Sequence, residues 1–226
     1  MKSLTTAISL SLIVCLTSAL AAEDAKTAGF DMFAPEAAKT VTWTAFSEDD
    51  GTTLEDVWTI TPESIVCKGT PRGYLRTNED FTDFILTLQW RWPEGQPGKG
   101  GVLFRMTGED KIWPKSLEAQ INAGDAGDFW GLDGYRLAGP KNRMKSLEHE
   151  QFGTLTNLKK TEAVERKPGK WNQYEIIARG GKVTLKINGH VVNETTDSDV
   201  IPGKICLTSE GSEIHFRNVK LTPLDK

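Results

Sequence analysis

Histidine, cysteine and long apolar runs are scarce in this sequence, and each shortage excludes a class of protein. Three histidines and three cysteines occur among 226 residues, without the close pairs that zinc ligands form, so no metal site is predicted from them. No basic stripe accompanies the formal net charge of −4, which argues against a nucleic-acid partner. Beyond the N-terminus, no segment has the ~20 apolar residues of a membrane span.

The one apolar run lies at the N-terminus. Lys2 precedes the run over residues 4–16, and Ala-Leu-Ala at 19–21 has the small residues of a cleavage signal. We interpret residues 1–21 as a signal peptide, so the protein is expected to be exported, either to the periplasm or as a secreted protein. Residues 22–226 are long enough for one well-buried domain and long for two.

Only two cysteines, Cys67 and Cys206, remain outside the predicted signal peptide. An exported compartment permits a disulfide between them. The alternative is two separate buried thiols that act as small apolar side chains. The sequence leaves both alternatives open.

Alternation of apolar and polar residues with a period of two dominates from residue 40 onward. In "DFILTLQWRW" (83–92), aromatic and aliphatic residues occupy every second position, as in a strand with one buried face. The pattern recurs at 101–106, 117–122, 171–179, 182–189 and 212–221. Many short strands separated by Gly and Pro predict an all-β fold, a two-sheet antiparallel jelly-roll sandwich, because each sheet must cover the apolar face of the other.

The strand "LEAQIN" carries three polar residues on one side. Glu118, Gln120 and Asn122 share a face because successive strand side chains point to opposite sides. An exposed polar face is one interpretation, and a groove that binds a sugar is the other. Arg105 and Arg91 are the neighbours expected from adjacent strands, where they would keep the carboxylate ionised.

Aromatic residues near this strand favour the sugar interpretation. Seven tryptophans occur in the chain, and Trp113 and Trp130 flank the polar strand. The apolar faces of sugars stack on such rings while their hydroxyls bind amides and carboxylates. Asp128 lies in the stretch 123–168, which lacks clear periodicity and is expected to border the site. Trp113, Trp130 and Asp128 are therefore further candidates for substrate binding.

A conventional retaining glycosidase needs two carboxyl groups about 5–5.5 Å apart. The polar strand supplies only Glu118. Asp125, Asp128 and Glu210 are candidates for a second carboxyl group from loops, but the sequence does not determine their positions. The two-carboxylate mechanism is therefore open rather than predicted.

Seven segments, in order, resemble the 3-keto-disaccharide hydrolase family. They are "CKGTPRGYLRT", "DFILTLQWRW", "GVLFR", "WPKSLEAQINAGDAGDFW", "PGKWNQYEI", "VTLKINGHVVN" and "GKICLTSEGSEIHFRNVKL". The chain looks most like exported members from planctomycete-type bacteria. The resemblance implies a concanavalin A-like lectin/glucanase fold and a glycoside already oxidised to a ketone at C3. Family members commonly read Asn-Ser-Gly where this chain has Lys99-Gly100-Gly101.

One carboxylate could be enough for the implied chemistry, because direct displacement at C1 is unnecessary. A ketone at C3 acidifies the proton at C2, so a general base can form an enolate that expels the C1 substituent before water adds. Our hypothesis makes Glu118 the base, or the acid to the leaving oxygen, and assigns enolate stabilisation to Arg105 and Arg91. Gln120 and Asn122 would orient hydroxyls.

The sequence leaves alternatives open for both the cofactor and the class of function. No cofactor is predicted, although a divalent metal could replace the arginines as the electrophile. A non-catalytic, lectin-like carbohydrate-binding module and a conventional endoglucanase-like glycoside hydrolase would suit the same aromatic and amide residues. The predicted partner in every case is a carbohydrate, and the sequence does not indicate an oligomeric state.

Overall fold

The computed structural model describes residues 29–61 and 63–225. Within them, sixteen strands form two antiparallel sheets of eight strands each, which confirms the predicted all-β sandwich. The predicted signal peptide lies outside the described residues. None of the described helices is long and apolar enough to cross a membrane.

One sheet, sheet A, has the order β14-β13-β12-β6-β16-β4-β3, with β1 beside β16. Its strands are β1 (Phe30–Asp31), β3 (Trp58–Ile60), β4 (Ile65–Cys67), β6 (Phe84–Arg91), β12 (Asn172–Arg179), β13 (Lys182–Ile187), β14 (His190–Thr195) and β16 (Ile214–Pro223). The "DFILTLQWRW" segment supplies β6, a central strand between β12 and β16.

The other sheet, sheet B, has the order β10-β11-β9-β8-β7-β15-β5-β2. Its strands are β2 (Trp43–Ser47), β5 (Gly73–Thr77), β7 (Gly101–Met106), β8 (Ser116–Gln120), β9 (Phe129–Leu132), β10 (Met144–His149), β11 (Gly153–Leu158) and β15 (Lys204–Ser209). Short helical pieces occupy Pro35–Lys39, Leu54–Val57 and Lys141–Arg143.

The core lies between the two sheets and follows the alternation. On β6, Phe84, Leu86, Leu88 and Trp90 are fully buried, while the residues between them are half-buried and face outward. Sheet B contributes buried residues that include Val102, Phe104, Leu117, Ala119 and Phe129. Each fully buried aliphatic or aromatic side chain of this kind contributes about 1.5–3 kcal/mol.

Sheet B also has apolar cover on its outer face. A second buried cluster there comprises Tyr74, Leu103, Met106, Leu132, Phe152, Leu155 and Cys206, with Phe46, Ile112, Trp113 and Trp130 packed against it. As a result every residue of β7 is buried, whereas β6 of sheet A is buried only at alternate positions. This cover creates a partly dry environment on the face that carries the polar strand.

The two cysteines are separate buried thiols. Cys67 belongs to the core between the sheets, and Cys206 belongs to the outer cluster on sheet B. Both are free, so the second alternative left open by the sequence is the one realised. Burial raises the pKa of the Cys67 thiol to about 11, and it raises the pKa of Cys206 as well.

Candidate functional site

A cavity of about 380 Å³ opens on the outer face of sheet B. Its wall is formed by Lys99, Trp113, Glu118, Gln120, Asn122, Trp130, Leu132, Leu147, His149, Leu155 and Glu210. The structure thus brings together five of the residues singled out from the sequence, namely Glu118, Gln120, Asn122, Trp113 and Trp130. Because they line a cavity, the polar strand is part of a recess rather than a flat exposed surface.

Glu118 lies on β8 between Leu103 of β7 and Trp130 of β9. Its carboxyl group lies over Gly101, since a Cβ atom built there would be 2.3 Å from Oε1. Only 5% of the residue is exposed. Burial raises the pKa of this carboxyl well above its ordinary range, and the negative charges of Glu210 and Asp128 raise it further.

A second carboxyl group, that of Glu210, lines the same cavity. It follows β15, so it approaches Glu118 from the other side of β7. Burial raises the pKa of Glu210, but a hydrogen bond from Thr208 and the charges of Lys99 and Arg72 offset part of that rise. The rise in the pKa of Glu118 therefore has no opposing charge, whereas the rise in the pKa of Glu210 is partly offset.

Two side chains hold the short segment that carries Lys99. The Asn122 Oδ1 atom accepts a hydrogen bond from the backbone N–H of Gly100 at 2.9 Å. The Thr208 hydroxyl accepts one from the N–H of Gly101 at 2.7 Å. Asn122, predicted to orient hydroxyls, thus also anchors the cavity wall, while the amide of Gln120 lines the cavity.

Aromatic rings form one side of the cavity. Trp113 packs on Phe152 with ring centroids 4.6 Å apart, and His149 packs on the same ring at 4.5 Å. Lys145 lies 5.7 Å above the ring of Trp130. These contacts depend on the β10–β11 hairpin, whose first strand gave no signal in the sequence because five of its six residues are exposed.

Two further cavities adjoin the first. One of about 230 Å³ is lined by Lys99, Glu210 and Trp113 together with Arg72 and Tyr74, among others. Another, of about 560 Å³, also includes Lys99 and Glu210 in its wall. Lys99 and Glu210 therefore line all three cavities.

The structure corrects the placement expected for Arg105. A one-residue bulge in β7, where Cys206 pairs with Leu103 but Lys204 pairs with Met106, turns this side chain away from the cavity. The residue has φ +52° and is fully buried. Its guanidinium donates to Thr82 O, Asp83 Oδ1, Gly180 O, Ser198 Oγ and Asp199 O. Every donor is occupied, so Arg105 ties sheet B to sheet A.

Arg91 also lies apart from Glu118. It is on β6 of sheet A, where it faces outward over the ring of Trp171 at 4.7 Å and makes a contact of 3.4 Å with His215. From the sequence, Arg91 was expected to be a neighbour of Glu118. This expectation is wrong, because β6, which carries Arg91, and β8, which carries Glu118, belong to different sheets.

Asp128 is buried behind the cavity rather than in its wall. Its carboxylate accepts hydrogen bonds from the Lys160 N–H at 2.9 Å and from Asn157 Nδ2 at 3.3 Å, and the Lys159 ammonium lies 3.6 Å away. These contacts correct the direct binding position expected for it, because the carboxylate is already engaged in holding the loop after β11.

No group of three or more His, Cys, Asp and Glu side chains within residues 29–61 and 63–225 is arranged to hold a metal ion. The polar side chains that line the 380 Å³ cavity are the two carboxyls, the amides of Gln120 and Asn122, the ammonium of Lys99 and the imidazole of His149. This arrangement can donate and accept protons at a ligand bound in the cavity.

Comparisons with known proteins agree with this architecture. A family model described as 3-keto-alpha-glucoside-1,2-lyase-like domain matches residues 37–222. None of the curated proteins matches the sequence.

Several solved structures share the fold. A candidate glycosyl hydrolase from Parabacteroides distasonis ATCC 8503 is similar with a TM-score of 0.60 and 16% identity, over 90% of this chain and 97% of that one. A second from the same organism has a TM-score of 0.57 and 21% identity, over 87% and 100%. The carbohydrate-binding module CBM66 from Bacillus subtilis has a TM-score of 0.56 and 16% identity, over 80% and 94%.

Proposed function

The chain belongs to the family of 3-keto-alpha-glucoside-1,2-lyase-like domains, and we propose that it is an enzyme that cleaves the glycosidic bond of 3-keto-glycosides or 3-keto-disaccharides. The reaction proceeds by removal of the C2 proton, elimination of the C1 substituent and addition of water. One observation carries the proposal: two carboxyl groups in unequal environments, Glu118 and Glu210, line one cavity.

The unequal environments assign the roles of the two carboxyls. Glu210, whose pKa rise is partly offset by Thr208, Lys99 and Arg72, acts as the general base that takes the proton from C2, and the electrons of that C–H bond form the enolate of the C3 ketone. Glu118, whose raised pKa favours the protonated form, acts as the general acid. As the C1–O1 bond breaks, O1 receives the proton of Glu118 and leaves as an alcohol.

Addition of water restores both groups. The product of elimination has a double bond between C1 and C2, conjugated with the C3 ketone. Glu118, now ionised, takes a proton from a water molecule as the water oxygen attacks C1. Glu210 then returns its proton to C2. The sum is hydrolysis, and each carboxyl regains its initial state, so neither needs a second proton source.

The rest of the cavity suits a sugar. Trp113 and Trp130 provide apolar surfaces for the CH faces of the ring, and the amide of Gln120 can bind hydroxyls. Arg105, Arg91 and Asp128 receive no role in this mechanism because their contacts place them elsewhere.

The decisive experiment compares a chromogenic 3-keto-glucoside with the same glucoside unoxidised. Release from the keto compound alone, slowed when deuterium replaces hydrogen at C2, supports elimination. Binding without release would support a lectin-like module instead. Glu118→Gln and Glu210→Gln should each abolish release, and Glu175→Gln is the matched control, because that carboxylate is paired with Lys186 on sheet A.

A conventional glycoside hydrolase is the second candidate, and the presence of two carboxyls on one cavity favours it over a pure binding module. Such an enzyme would displace the C1 substituent directly and leave C2 untouched. Release from both substrates, with no isotope effect at C2, would select this candidate over elimination.

A further inference from the structure

A positive group at the C3 oxygen would stabilise the enolate formed during elimination, and the arginines expected for this task lie elsewhere. We propose that Lys99 is the catalytic electrophile: its ammonium group stabilises the enolate oxygen. This inference rests on the function proposed above. It concerns a residue to which the sequence alone assigned no role.

The position of Lys99 relative to the two carboxyls supports the assignment. The C3 oxygen is two bonds from C2 and four bonds from O1, so its electrophile is expected nearer the base that removes the C2 proton than the acid at O1. Lys99 shares the walls of all three cavities with Glu210. Glu118 lines only one of them.

The other cation of the cleft is already engaged. Arg72 holds the carboxylate of Glu48 with three contacts of 2.6–3.0 Å. Lys99 makes no ion pair with a carboxylate of the described residues. Its ammonium is therefore available, and it carries three donors on a flexible stem that can follow the oxygen as charge develops.

The backbone near Lys99 is firmly held although its side chain is exposed. Asn122 and Thr208 bind the N–H groups of Gly100 and Gly101, so the stem begins at a defined point of the wall. The positive charge of Lys99 lowers the pKa of Glu210, whereas burial raises it. Lys99 thus has two effects on the reaction, enolate stabilisation and a lower pKa of the base.

The test is Lys99→Met, measured with the 3-keto-glucoside. We expect kcat to fall about 10²–10³-fold, the range for loss of one donor to a developing oxyanion, with a much smaller change in KM. The acidic limb of the pH profile should move to higher pH. Lys186→Met on sheet A is the matched control and should leave kcat unchanged.

Rescue separates a catalytic from a structural role. Lys99→Cys, alkylated with 2-bromoethylamine, regains an ammonium at nearly the same reach and should recover most of kcat, since the buried native thiols are protected. Recovery by alkylation with a neutral reagent of equal length would overturn the inference.

The outcomes distinguish this inference from the proposed function. If wild-type protein releases the leaving group with an isotope effect at C2, but Lys99→Met retains kcat within threefold, the inference fails and the proposed function stands. Loss of wild-type activity on chelation, restored by a divalent cation, would also overturn Lys99 as the electrophile. If the wild type never acts on keto substrates, both fail together.

Discussion

The outer faces of both sheets carry charged side chains and tryptophans, but these side chains differ in how far they are buried. On sheet A, Arg91 and Arg217 stack on Trp171 at 4.7 and 4.1 Å, and all three are half-buried at the surface. On sheet B, Glu118 and Glu210 face a cavity, and burial raises the pKa of both. One face satisfies its charges with neighbours and solvent, whereas the other holds a carboxyl without a counter-charge.

The difference comes from what covers each face. The β10–β11 hairpin and the aromatic residues around Trp113 enclose part of sheet B, so water is displaced and charges interact strongly. Sheet A has no such cluster on its outer face among the described residues, and charge pairs in contact with water contribute little. Chemistry is therefore expected on sheet B alone.

The largest contrast should be in activity. Glu118→Gln and Glu210→Gln are each expected to lower kcat on a 3-keto-glucoside at least ~10³-fold, because each removes a proton-transfer group. Glu175→Gln on sheet A should change kcat less than twofold. Steady-state kinetics with circular dichroism as a check of folding will measure this. An equal loss of kcat in all three variants would contradict the proposed difference between the outer faces of sheet A and sheet B.

The two arginines should separate in stability. Arg105→Met removes the partner of Asp83 and leaves buried acceptors unpaired, which should cost about 3–5 kcal/mol of unfolding free energy. Arg91→Met on the outer face of sheet A should cost less than about 1 kcal/mol. Urea unfolding of both variants is the measurement, and similar midpoints for the two would contradict the tie between sheets.

Adjacent glycines offer a finer test of the cavity. A Cβ atom at Gly101 would lie 2.3 Å from Glu118 Oε1, whereas one at Gly100 has its nearest neighbour at 3.5 Å. Gly101→Ala should displace the carboxyl and lower kcat about 10²-fold, the scale of a 1 Å misplacement. Gly100→Ala should stay close to wild type. A Gly101→Ala variant with full activity would show that the position of Glu118 is not critical.

Stability should respond to pH through Glu118. As pH rises above its ordinary pKa of 4.5, the carboxyl ionises in the unfolded chain while the folded one keeps its proton, so folding loses stability with rising pH until the folded pKa is passed. Glu118→Gln removes this loss. Its melting temperature should match wild type below pH 4 and exceed it at neutral pH. Thermal scans across pH will check the direction.

The smallest expected effect concerns the thiols, which are buried on both sheets. Neither Cys67 nor Cys206 should react with a thiol reagent in the native state, since burial raises both pKa values. Both should react after denaturation. Rapid labelling of one thiol in native protein would reveal local opening of its sheet, and a failure to label after denaturation without reductant would indicate a disulfide.

Much of the fold could be predicted from the sequence. About half of the residues that line the cleft could also be predicted. The alternation in "DFILTLQWRW" and its repeats identified the strands, and Glu118, Gln120 and Asn122 were grouped correctly on one wall. Arg105 was misplaced because a bulge adds one residue and moves the side chain off its expected face. Glu210 was named only as one of several loop carboxyls, because nothing in a linear sequence positions a loop residue.

The sequence by itself determined the two-sheet architecture and the shared face of the polar strand, because side-chain direction along a strand is a local property of the backbone. Only the tertiary structure decided that Glu210 meets Glu118 across β7, that Lys99 stands beside that pair, and that the arginines lie elsewhere. Those outcomes depend on strand order, on one bulge and on the covering hairpin, which join residues far apart along the chain.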